Sequence, residues 1–164
     1  MISSPGWQEL RPHRPLKTIV TAGLVAGLFD GLDAAVVIAA MNSVSPARIF
    51  QFIASGLLGV SAFHHGTPAA LLGVLLHFTI AMGAAATFYL ASTKLPMLLR
   101  RPLLWGPVYG IAVFLFMHYV VVPLSAAPRQ PPSSAAALLN LIGSHVFFIG
   151  IPIAMVTGRS ARRV

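Results

Sequence analysis

Four long apolar stretches limit what this chain can fold into. They cover residues 18–41, 68–91, 103–122 and 135–156. The hydrocarbon core of a bilayer is about 30 Å thick, and an α-helix of about 20 apolar residues crosses it. The sequence therefore predicts an all-α integral membrane bundle of four transmembrane helices, formed by residues 18–156.

The composition agrees with a membrane protein. Hydrophobic residues make up 57% of the chain and charged residues 9%, whereas a soluble domain carries about 25% charged residues. A length of 164 residues allows one compact bundle and no separate soluble domain. The net charge of +8 lies beside the apolar stretches, which favours a role in membrane orientation over nucleic-acid binding. Without cysteine, disulfide bonds, thiolate metal sites and thiol catalysis are excluded.

Lysine and arginine are distributed unevenly between the two sides of the predicted bundle. Arg48 and Arg129 lie on one side, and the other nine basic residues lie on the side that carries residues 1–17 and 157–164. The positive-inside rule predicts that both of these basic segments are cytoplasmic. A cleaved signal peptide is the alternative for the first stretch, but two aspartates would interrupt its apolar core. The nine basic residues are Arg11, Arg14, Lys17, Lys94, Arg100, Arg101, Arg159, Arg162 and Arg163.

Residues 45–59 form a shorter pattern in the first outer loop. Ser45 is a good N-cap, and Pro46 suits the first helical position. The polar residues Arg48, Gln51 and Ser55 share one helical face, opposite an apolar face. The segment is too short to cross the membrane and is predicted to be an interfacial helix. The alternative is an amphipathic connector packed on the bundle.

Two of the three acidic residues, Asp30 and Asp33, lie inside the first apolar stretch. An aspartate at the centre of a membrane helix costs about 2.5–3.5 kcal/mol, so these two residues need partners, protons or both. The spacing Gly23, Gly27 and Gly31 is a GxxxGxxxG pattern that lets a second helix approach closely. Asp30 falls on this glycine face and Asp33 about 60° to one side. We therefore expect Asp30 to face the bundle interior.

Each of the other three stretches carries one histidine: His77, His118 and His145. The predicted threading places all three at a depth similar to that of the two aspartates. Five such side chains at one level are suited to a divalent metal such as zinc, manganese or iron. Histidine pairs also bind haem, and aspartate with histidine relays protons. The predicted metal ligands are Asp30, Asp33, His77, His118 and His145.

His77 is the expected partner of Asp30, because it lies on a stripe of small residues that faces a close neighbour. Asp33 is then expected to pair with His118 or His145, or to be open to water. In the fourth stretch, a small polar face that includes Asn140 points away from His145. That helix is therefore either central or in contact with another subunit. The alternative for each histidine is a structural hydrogen bond between helices.

No phosphate-binding loop, nucleophile elbow or metalloprotease motif is present, so nothing in the sequence supports hydrolysis or nucleotide use. Two functions stay open. The first is a small membrane protein whose Asp/His cluster binds a metal, a haem or protons. The second is a non-catalytic accessory subunit of a larger membrane complex, or a homo-oligomer, in the lipid bilayer.

Several short stretches together resemble small four-span bacterial inner-membrane proteins of unknown function. They are "DGLDAA", "FIASGLLG", "GVLLHFTIA", "RRPLLWGPVYG" and "HYVVVPLSAAPR". The resemblance covers most of residues 18–156. It implies a multi-pass protein of the bacterial plasma membrane and assigns no activity and no catalytic residue.

Overall fold

The computed structural model describes residue 12, residues 14–129 and residues 134–161. Most of the predicted basic N-terminal segment and the last three residues of the predicted tail lie outside this part. The described residues contain no strand. Their helices are α1 (Pro15–Met41), α2 (Pro46–His64), α3 (Gly66–Lys94), the short α4 (Met97–Arg100), α5 (Pro102–Leu124) and α6 (Ala135–Ala161).

All five long helices are long and apolar enough to cross a membrane by length and composition. The predicted all-α class is confirmed, and the helices are compatible with a multi-pass membrane protein. The predicted count of four spans is not confirmed, because α2 also meets this criterion. Large apolar side chains such as Leu71, Leu75 and Phe147 are exposed on the outside of the bundle, as expected for helices that face lipid.

The predicted glycine face of α1 packs against α3. A Cβ atom on Gly23 would lie 2.8 Å from the Cα of Met82, and one on Gly27 would lie 2.8 Å from the Phe78 ring. The close approach predicted from the GxxxGxxxG spacing is therefore confirmed. Residues further along α1 contact residues earlier in α3, so the two helices are antiparallel.

A second glycine contact joins α5 to α6. A Cβ atom on Gly106 would lie 2.8 Å from the Cα of Ile151, and one on Gly110 would lie 2.7 Å from the Cα of Val146. On the α6 side, a Cβ atom on Gly150 would collide with the Gly106 carbonyl oxygen. These two helices are also antiparallel, and their backbones touch.

The core lies where α1, α3, α5 and α6 meet. Ala26 of α1, Phe88 of α3 and Ile153 of α6 form one buried apolar cluster. Tyr109 of α5 packs against the Phe88 ring at 5.0 Å and donates a hydrogen bond to the Ala84 carbonyl at 2.6 Å. Helix α6 contacts α1, α3 and α5. It is therefore central, which is one of the two arrangements left open by its sequence.

Helix α2 begins as predicted, since the Ser45 side chain accepts a hydrogen bond from the Arg48 backbone N–H. Its α-helical part ends at Leu58, because Gly59 turns the chain with φ of 62° and ψ of −153°. A 3₁₀ helix, Gly59–His64, follows. The backbone of α2 lies against α3, where a Cβ atom on Gly73 would collide with the Phe50 carbonyl.

The polar face of α2 is turned mostly towards the protein, and of its three residues only Arg48 is exposed. Gln51 and Ser55 of the polar face are buried, whereas Leu57 of the apolar face is 66% exposed. The Gln51 amide donates to the Gly66 carbonyl at 2.9 Å, and Ser55 donates to the Phe52 carbonyl at 2.6 Å. Because these polar side chains find partners inside the protein, the helix packs on the bundle with its apolar side outward.

Candidate intramembrane polar site

Asp33 is the best-buried carboxylate among the described residues, with 9% of its surface exposed. It lies at the end of the first α-helical segment of α1. Its Oδ2 atom accepts a hydrogen bond of 3.1 Å from the side-chain amide of Asn140 in α6. The sequence pattern predicts that Asn140 lies on a small polar face, but it does not predict the hydrogen bond to Asp33.

Asp30 lies one helical turn before Asp33 and is half-buried. The two carboxylates are close enough for their charges to interact. The expected hydrogen bond between Asp30 and His77 is not formed among the described residues, since His77 bonds to the backbone instead. Helix geometry explains why Asp33, and not Asp30, forms the hydrogen bond to a neighbouring helix. The glycine face packs against α3, so the side chain 60° away from it, Asp33, meets α6.

His77 fixes the contact between α3 and α1. Its Nε2 donates a hydrogen bond of 2.8 Å to the Gly27 carbonyl, and because a carbonyl only accepts, Nε2 carries the proton. The ring is 8% exposed and packs edge-on against Phe78 at 5.4 Å and Phe50 at 6.2 Å. A Cβ atom on Gly31 would lie 3.1 Å from Nε2. This arrangement fits the alternative of a structural interhelical hydrogen bond.

His145 lies on α6, five residues after Asn140. Its Nδ1 donates to the Leu141 carbonyl at 2.8 Å, which leaves Nε2 as the nitrogen that can exchange a proton. The charge of His145 interacts with that of Asp33. The ring also packs edge-on against Phe114 of α5 at 5.7 Å.

His118 belongs to the same region through the Phe114 ring. The two rings stack at 5.6 Å with an interplanar angle of 16°, and His118 also meets Tyr119 edge-on at 4.9 Å. Phe114 is buried and contacts both His118 and His145. The aromatic contact therefore links α5 to the polar site between α1 and α6.

Three π-helical segments mark the same residues. Ala34–Ile38 begins directly after Asp33, Met117–Val121 contains His118, and His145–Gly150 begins at His145. π-Helix accounts for well under 1% of residues in globular proteins, and it occurs often at functional sites. The sequence carries no signal for these segments, because no residue pattern distinguishes them from continuous α-helix.

The positions of the five predicted ligands do not support a metal site. Among the described residues no three histidine, aspartate or glutamate side chains form a group that could hold a metal ion. His77 faces Gly27 on the α3 side of α1, whereas Asp33 faces Asn140 on the α6 side. Binding of a divalent metal or of haem stays a prediction without a site.

Comparison with known proteins gives no match: no family model, no curated protein and no solved structure matches this chain. The resemblance to four-span bacterial inner-membrane proteins therefore stays an expectation.

Proposed function

We propose that this chain is a multi-pass membrane protein that binds and releases a proton at the Asp30, Asp33 and His145 site. The observation that carries the proposal is the buried Asp33 carboxylate, held by the Asn140 amide at 3.1 Å with a second carboxylate one turn away. Ionisable residues inside membrane segments are costly, and they mark proton and ion pathways.

The two carboxylates favour one shared proton. In apolar surroundings, two negative charges one helical turn apart repel each other, so a state with a single negative charge is favoured. The Asn140 amide donates to Asp33 and carries no charge, so it does not neutralise either carboxylate. A proton on either Asp30 or Asp33 removes one of the two charges.

His145 provides the second group that can carry a proton. With Nδ1 bonded to Leu141, its Nε2 can take up a proton while the ring stays in place. A protonated His145 and an ionised Asp33 attract each other. The site therefore has two arrangements of similar net charge, with the proton on a carboxyl group or on the imidazole. Proton binding needs no convergence of three ligands, which favours it over metal or haem.

Infrared difference spectroscopy of the purified protein between acidic and basic pH tests the site. We expect a carbonyl band from a protonated carboxyl group that changes with pH in the wild type. Asp33→Asn should remove most of this change, because the shared proton loses its buried carboxylate. Asp30→Asn should move the change to a different pH.

His77→Gln is the matched control, since His77 contacts Gly27 outside the site. It should leave the pH-dependent carboxyl band in place. An identical band in the wild type and in Asp33→Asn would show that the proton is held elsewhere and would refute the proposal.

The accessory-subunit alternative has less support from the packing. The glycine faces on which it depended are used within the chain, by α1 with α3 and by α5 with α6. The polar face of α6 is used by Asn140, which pairs with Asp33. A homo-oligomer or a larger complex would have to form through other surfaces, in particular the exposed apolar sides of the helices.

We further propose four spans, with both chain ends cytoplasmic in a bacterial plasma membrane. The antiparallel contact of α1 with α3, in which Gly23 meets Met82 and Gly31 meets His77, supports this count. It brings Met41 and Gly66 to the same end of the bundle. Since α2 connects these two ends and is broken at Gly59, we propose that it is a connector that does not cross the membrane.

Cysteine labelling from each side of the membrane tests the topology, and the absence of native cysteine gives a clean background. We expect Ser43→Cys and His64→Cys to react with a membrane-impermeant reagent from the same outer side. Reporter fusions at Arg129 and Val164 should report opposite sides. Labelling of Ser43→Cys and His64→Cys from opposite sides would show that α2 is a fifth span.

A further inference from the structure

A basic cleft lies at the end of the bundle where α1 begins and α6 ends. It has a volume of about 390 Å³ and is lined by the cationic side chains of Arg14, Lys17 and Arg159. All three are exposed. Thr18 and Ser160 form one wall, where their hydroxyl groups are joined by a hydrogen bond of 2.8 Å. The proton site described above uses none of these residues.

The positive charge of this cleft is not balanced by nearby acidic residues in the part of the chain that the structure describes. The only described acidic residues are Asp30 and Asp33. Asp30 follows Lys17 by 13 residues of α1, which is about 20 Å along a helix at 1.5 Å per residue. The N-terminus of α1 adds further positive potential. Three cations in one cleft therefore favour an anion.

The cleft also changes in character along the helix axis. Val156 lines it one helical turn deeper than Ser160, and Leu24, which follows Lys17 and Thr21 on the same face of α1, is 45% exposed. Cations and hydroxyl groups at the end of the bundle thus give way to apolar side chains towards its middle. A free inorganic anion would contact only the cationic end of the cleft. A phospholipid would contact this end with its headgroup and the apolar side chains with an acyl chain.

We propose that this cleft binds the headgroup phosphate of an anionic glycerophospholipid, with an acyl chain running along Val156 and the apolar exterior. Arginine and lysine both bind phosphate well, and basic pockets between membrane helices are known to hold anionic headgroups. The inference is independent of proton binding at Asp33.

Native mass spectrometry of the full chain tests the inference, with the protein reconstituted in bilayers of phosphatidylcholine mixed with phosphatidylglycerol. We expect phosphatidylglycerol to be retained in preference to phosphatidylcholine. Arg14→Gln, Lys17→Gln and Arg159→Gln should each weaken this retention roughly fivefold, since a basic residue near an anionic lipid contributes about that factor. Lys17→Arg keeps the positive charge and should retain the lipid. It therefore separates loss of charge from poor folding of the glutamine variants.

Lys94→Gln is the matched control, because Lys94 is exposed at the C-terminal end of α3 but does not line the cleft. It should leave lipid retention unchanged. Equal retention of the two lipids, or an equal loss in Lys94→Gln, would overturn the proposal. Displacement of the lipid by an equimolar amount of inorganic phosphate would also overturn it and would assign the cleft to soluble anions.

Discussion

Replacing Gly110 with valine is expected to destabilise the folded protein strongly. A Cβ atom at this position would lie 2.7 Å from the Cα of Val146 and would collide with the His145 carbonyl. Both obstacles are backbone, which cannot rotate away as a side chain can. Overpacking of a core costs about 1–3 kcal/mol and occasionally more, and we expect a loss of about 3 kcal/mol in the free energy of unfolding. Equilibrium unfolding in detergent micelles measures it.

The chain contains a control glycine on the partner helix, α6. A Cβ atom on Gly143 of α6 would meet nothing within 4 Å, so Gly143→Ala should be neutral or should stabilise the helix by about 0.5–1 kcal/mol. The large loss for Gly110→Val would then reflect the contact between α5 and α6 rather than glycine replacement in general. Equal stability of the two variants would show that α5 and α6 do not pack through Gly110.

Replacing Asn140 with leucine is the second change with a large expected effect. It leaves the buried Asp33 carboxylate without its amide donor. A buried acceptor that loses its partner costs about 1–3 kcal/mol, and more when it is charged. We therefore expect Asn140→Leu to lower the free energy of unfolding by about 2–3 kcal/mol. Thermal or chemical unfolding of the purified variant measures it.

A double-mutant cycle separates the lost hydrogen bond from a change of packing. Combining Asn140→Leu with Asp33→Leu removes both polar groups, and such a paired replacement is close to neutral. The double variant should therefore recover most of the stability lost by Asn140→Leu alone. Asn42→Leu, which removes an exposed amide bonded to Ile38, should have little effect. Additive losses at Asp33 and Asn140 would show that the two side chains are not coupled.

The helices and their close contacts could be predicted from local patterns. The lengths of the apolar stretches, the Ser45 cap and the glycine spacing of α1 each depend on a few neighbouring residues, and the structure has all three. The partners of the polar residues could not be predicted in this way. Helical periodicity gives the angle between Asp30 and Asp33, but the order of the helices around α1 decides which of them meets α6.

The orientation of α2 illustrates a second limit of sequence patterns. The amphipathic pattern separates Gln51 and Ser55 from the apolar residues of this helix, and it does so correctly. It does not say which side faces the protein. In water the apolar side turns inward, but a helix beside lipid gains by turning its polar side towards protein partners. The buried Gln51 and the exposed Leu57 follow the second rule.

The pairing of Asp33 with Asn140 has a consequence for biosynthesis. The two residues are 107 positions apart, and a ribosome adds about 5–20 residues per second. The Asp33 carboxylate therefore emerges on the order of ten seconds before its amide partner exists. The docking of α1 on α3 through Gly27 and His77 needs only the first half of the chain. The hairpin of α1 and α3 can therefore form before α6 is synthesised, so that Asp33 is already in position when α6 packs against it.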